Sequence, residues 1–101
     1  MNELEKKGWH HASICEKLNE IYIRKNSDYD DAFAKSLAEY GMAVPCIRIE
    51  DKLNRLKALT VHNKTQQVND ESVEDTLMDL ANYAIMTLVE IKNKQEEVNN
   101  G

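Results

Sequence analysis

At 101 residues the chain has room for one domain with a modest core and little stability to spare. A 42% hydrophobic and 31% charged composition with only three glycines and one proline excludes a disordered chain and argues against a sheet, which needs frequent turn residues. The net charge of -5 argues against duplex DNA as a partner. The expected class is therefore all-α: four helices, the last one long, in a single domain over residues 1–101.

Helix one is expected from about Glu3 to Lys25, with Ile14, Leu18, Ile21 and Tyr22 on one apolar face and Trp9 a turn earlier. Gly8 weakens its first turns. The polar run Asn26–Asp30 reads as a break. Helix two spans about Asp31 to Tyr40, with Phe33, Leu37 and Tyr40 inward, and Gly41 sits where a left-handed C-cap belongs. Pro45 suits the first turn of helix three, which carries Ile49, Leu53 and Leu56 inward and ends near Leu59. Thr60 to Asn69 reads as a polar, mobile loop.

Helix four begins at a cap on Asn69 or Asp70, with acids in its first turn. Val73, Leu77, Leu80, Ala84, Leu88 and Ile91 form its main stripe. Met78, Ala81, Ile85 and Val89 widen the apolar surface to about half the circumference. So wide a face implies two packing partners, one of them a second subunit, or else a central helix wrapped by its own chain. The tail after about residue 93 is polar and expected to fray.

No apolar run nears the roughly 20 residues that span a bilayer, and the first residues have no signal-peptide core. A cytoplasmic protein without a membrane partner is expected. Cys15 and Cys46 are then free, packed thiols. Between the acidic clusters, residues 52–69 contain no acid but carry Lys52, Arg55, Lys57 and Lys64 with His62. A basic segment in an acidic chain points to a small anionic ligand.

Three constellations could carry chemistry. The turn at Lys25, Asn26, Asp28 and Tyr29 either presents donors and a ring to a cleft or is a capped connector. Arg48, Lys52 and Arg55 share one helix face, and their mutual repulsion calls for an anion among them: a phosphate, with Arg making forked contacts, or a nearby carboxylate. Glu71, Asp75 and Asp79, extended by Asn82, form a row able to hold Mg²⁺ or simply a solvated face. His11 and Cys15, one helical turn apart, offer two metal ligands with no clear second pair, so a packed cysteine beside a surface histidine is the simpler reading. No catalytic residue is identified, and no cofactor is expected unless the protein is an enzyme, in which case Mg²⁺ is.

The segments KNSDYDDAF, IRIEDKLNRLKAL and VNDESVEDTLMDLANYAIM together resemble the phage and bacterial family of nucleotide modification associated domains, type 1. Its Lys-Asn-x-Asp-Tyr-Gly turn, Lys-x-x-Arg helix and final helix with an Asn-Tyr-Ala-like core match Lys25, Asn26, Asp28, Tyr29, Lys52, Arg55, Asp75, Asp79, Asn82 and Tyr83. Asp30 stands where the family turn has glycine. More distantly, the chain is similar to the all-α nucleoside triphosphate pyrophosphatases of the MazG type. That likeness implies a four-helix bundle completed by oligomerisation.

It also implies two acidic motifs that would hold Mg²⁺. Aligned on them, Ser72 and Asn54 take two of the five ligand positions. The resemblance therefore implies a homo-oligomeric protein of phage type that binds a nucleotide-like small molecule without turning it over. It would sequester a host-defence signal or serve nucleotide modification. The rivals are a Mg²⁺-dependent pyrophosphatase and a protein-interaction module.

Overall fold

The structure is a computed structural model that describes residues 1–62 and 70–100, the side chains of 70 and 71 excepted. Its elements are all α-helices: α1 (Glu3–Asp28), α2 (Ala32–Tyr40), α3 (Ala43–Leu59) and α4 (Asp70–Asn100). They fall into two compact units, Met1–Ala32 and Phe33–Gly101.

The first unit is α1 with the turn that follows it. Asn2 starts the helix: its carboxamide oxygen accepts from the Glu5 amide at 2.8 Å, and its Nδ2 donates to Glu5 Oε1 at 2.9 Å. Glu3 and Glu5 in the first turn and Lys25 in the last suit the helix dipole. The helix runs through Asp28, so Lys25, Asn26 and Asp28 belong to its last turn rather than to a break. The Tyr29 amide closes that turn on Lys25 O at 2.9 Å, which satisfies a carbonyl that a break at Asn26 would leave open. Leu18 is buried and Ile21 and Tyr22 are half-buried, but Ile14 and Trp9 are exposed. Asp30 (φ 52°) and Asp31 (φ 58°) are both left-handed. That conformation costs an ordinary residue roughly 1–2 kcal/mol and an aspartate less, which is why glycine is expected at the first of these positions.

In the second unit, Gly41 (φ 72°) is the left-handed residue that ends α2, its amide bonded to Leu37 O at 2.8 Å. Pro45 is fully buried in the first turn of α3, where its missing amide costs nothing. At the other end of α3 the Thr60 amide and hydroxyl both reach Leu56 O, and the His62 amide reaches Lys57 O. The rest of the expected loop, 63–69, lies outside the described residues, as does the Asn69 cap. Tyr40, expected inward, is exposed, as is Leu53. Phe33, half-buried, stacks at a tilt on Tyr83 with ring centroids 5.9 Å apart.

Helices α3 and α4 pack on each other, and the face of α4 that becomes buried differs from the expected stripe. Among the described residues of α4, Thr76 and Thr87 are the buried ones, with Val73, Leu80 and Tyr83 half-buried beside them. Leu77, Ala84, Leu88 and Ile91 are exposed, Leu88 by 64%. At about 100° per residue, the buried face is turned by roughly 60° from the centre of the most apolar stripe. Threonine can occupy it because each hydroxyl donates to the carbonyl four residues back. Thr76 Oγ1 reaches Ser72 O and Thr87 Oγ1 reaches Tyr83 O, both at 2.7 Å, so neither side chain is left unsatisfied. The helix continues through Asn100, past the point where fraying is expected. None of the described helices is long and apolar enough to cross a membrane.

Candidate functional site

The cationic face of α3 is intact. Arg48, Lys52 and Arg55 lie at i, i+4 and i+7 of a continuous helix, within about 60° of arc. Arg48 and Arg55 are exposed, and neither forms an ion pair among the described residues. Lys52 does: its ammonium nitrogen stands 3.0 Å from Asp79 Oδ2 on α4, with the two side chains 28% and 41% exposed. The repulsion expected along this face is thus relieved in part by a carboxylate of the neighbouring helix. At that exposure the pair contributes no more than about 1 kcal/mol, and its chemical consequence is the larger one. A carboxylate expected to hold a metal is already neutralised by a cation expected to hold a phosphate.

Of the other expected metal ligands, Asp75 is exposed and the Glu71 side chain lies outside the described residues. Among the described residues no three His, Cys, Asp or Glu side chains stand close enough to hold a metal ion. Asn82 is half-buried on α4 and engaged with a neighbour, next in sequence to the Tyr83 ring that meets Phe33.

The turn residues belong to the first unit and stand at a helix C-terminus. That end of a helix presents carbonyls and repels anions, so only Lys25 offers a phosphate anything there. Tyr29 is the C-cap residue and is 68% exposed, free on this count to stack on a flat group. Asn26 is half-buried and its carbonyl accepts from the Asp31 amide at 3.1 Å. The turn therefore offers an aromatic face and an amide rather than a cluster of cations.

An open depression of about 390 Å³ lies on α4 between Ile91 and Asn99, lined by Ile91, Lys94, Gln95, Val98 and Asn99. It contains none of the candidate residues and is formed by one helix surface, so it is no enclosed ligand cavity. Cys15 and Cys46, expected to be packed, are exposed free thiols. The residues that sequence reasoning missed are Thr76 and Thr87, which read as polar. Their spacing of 11 residues, about three helical turns, is the signal that places them on one face.

A model of the nucleotide modification associated domain 1 family matches residues 25–91, about two thirds of the chain. The chain belongs to this family. The match starts at Lys25 and takes in the turn, α2, α3 and most of α4, leaving out nearly all of α1. No curated protein matches the chain, and neither does any solved structure.

Proposed function

We propose that this family member binds a nucleotide, or a signalling molecule derived from one, and holds it without hydrolysis. Arg48 and Arg55 are the phosphate ligands in this reading, because both guanidinium groups are exposed on one face and a guanidinium meets a phosphate through two parallel hydrogen bonds. The observation that carries the non-catalytic part is the Lys52–Asp79 pair. A Mg²⁺ ion bound by Asp79 would have to displace an ammonium group 3.0 Å away and then sit beside it, against Coulomb repulsion. A protein of phage type with these properties would serve to sequester a host-defence nucleotide or to present one for modification.

Calorimetric titration with nucleoside triphosphates and cyclic dinucleotides tests the binding. Arg55→Ala should weaken it by about tenfold to a hundredfold, as loss of a charge-assisted bond does. Arg55→Lys should not restore it fully, since an ammonium cannot make the forked contact. A fall in melting temperature with unchanged affinity would instead make Arg55 a structural residue. With Mg²⁺ or Mn²⁺, no pyrophosphate should be released. Turnover within the ordinary range of about 1–10³ s⁻¹, abolished by Asp75→Asn, would reverse the reading in favour of a pyrophosphatase.

The exposed arc of Leu77, Ile85, Leu88 and Ile91 supports self-association as part of the same proposal. A contiguous apolar stripe over four turns of one helix is more than a small monomer ordinarily leaves in water.

A further inference from the structure

We propose that His11 and Cys15 of α1 are one half of a zinc site, which a second copy of the chain completes with its own pair. The residues lie one helical turn apart, and His11 Nδ1 stands 3.9 Å from Cys15 Sγ. A zinc ion with bonds of about 2.0–2.1 Å to nitrogen and 2.3 Å to sulfur at a tetrahedral angle needs the two atoms about 3.5 Å apart. A small side-chain adjustment closes that difference. Both residues are exposed, so a shared ion is accessible from outside the chain. The packed cysteine that would have made this pair inert is not what the structure contains.

Among the described residues one chain supplies two ligands. The adjacent His10 is turned to Trp9, edge to face with ring centroids 5.2 Å apart, and is not the third. Among the described residues no third acid, histidine or cysteine joins the pair. Zinc takes four ligands, and a two-fold axis passing between His11 and Cys15 brings each pair against its copy as a Cys₂His₂ set. Each cysteine gives up its thiol proton on binding, so two thiolates balance the charge of one Zn²⁺.

Gly8 leaves room for that second copy. It lies in the interior of α1, where glycine costs about 1 kcal/mol relative to alanine. Among the described residues nothing uses the space, since a Cβ placed there meets no neighbouring atom within 4 Å. At positions i−3 from His11 and i−7 from Cys15 it shares their face, and its bare backbone lets a second helix cross closely. Leu4, on that face and 80% exposed, would be covered by such a crossing. The whole feature lies outside the segment that matches the family.

The full chain, stripped with a chelator and kept reduced, is titrated with Co²⁺ as a spectroscopic probe and with Zn²⁺ in competition. One metal per two chains is expected, with the intense visible bands of tetrahedral cobalt and a thiolate-to-cobalt charge-transfer band. Cys15→Ser should abolish that band, and its effect on affinity should exceed the roughly 10–100-fold lost when a mere supporting group is removed. Gly8→Leu, which changes no ligand and favours the helix, should weaken binding by blocking the crossing.

In an Ile85→Glu background, where association through α4 is disabled, zinc should raise the sedimenting mass from one chain of 11.6 kDa to two. One metal per chain, binding indifferent to Cys15→Ser, or no effect of Gly8→Leu would each overturn the proposal. None of these outcomes bears on nucleotide binding.

Discussion

The two sides of α4 invert the usual relation between apolarity and burial. The side against its own unit is built around Thr76 and Thr87 with Leu80 and Tyr83, whereas the side carrying Leu77, Ile85, Leu88 and Ile91 remains exposed. A helix face is buried by what the rest of the chain can place on it, and a threonine whose hydroxyl returns to its own backbone is compatible with burial. The more apolar side stays exposed. In a chain this short, that contrast is the best physical support for a second subunit.

The sharpest way to break the contrast is to put a charge on each side. Thr76→Asp should unfold the second unit, because Thr76 is 2% exposed and the new carboxylate would have no partner. The expected loss, about 3–5 kcal/mol, is a large part of a small domain's stability and would appear as a collapsed thermal melt. On the other side, Ile85→Glu should leave the helical circular dichroism intact. It should change the monomer's stability by no more than about 0.5 kcal/mol and reduce the sedimenting mass to that of one chain. A wild-type protein that already sediments as a sharp 11.6 kDa monomer at micromolar concentration would remove the second subunit from the account.

Smaller effects sharpen the boundary between the two sides. Lys52 and Asp79 border the packed face, and a double-mutant cycle with alanine at both positions should give a coupling of about 0.2–1 kcal/mol that declines as salt is added. A coupling near zero would mean that Lys52 is available to a ligand after all. Thr76→Val should be the mildest change, within about 0.5 kcal/mol of neutral. The Ser72 carbonyl it abandons keeps its place in the helix ladder, and the added methyl enters an apolar setting. A large loss there would mean that the hydroxyl does more than satisfy itself.

Where the chain turns was readable because the residues responsible act locally. Gly41 is left-handed at the end of α2, and Pro45 lies in the first turn of α3, each for a reason confined to its own backbone. Asp30 is instructive in the other direction. The family resemblance leads one to expect glycine there, and the backbone is left-handed with aspartate all the same, because the path of the chain requires it and aspartate tolerates it. The end of α1 was misplaced for a related reason: Asn26, Ser27 and Asp28 resemble turn residues but complete a helical turn closed by Tyr29. The candidate site was legible only as residue types on helix faces. Arg48, Lys52 and Arg55 could be placed together by spacing alone, but the partner of Lys52 is 27 positions away on another helix.

The sequence by itself determined the helical class and the breakers Gly41 and Pro45, which act on residues within a few positions, and the family, which three segments in order carry. The tertiary structure decided which arc of α4 is covered and that Lys52 is bound to Asp79. Those outcomes depend on the rotation of one helix against another, and about 60° of rotation exchanges a buried side chain for an exposed one without altering any local preference.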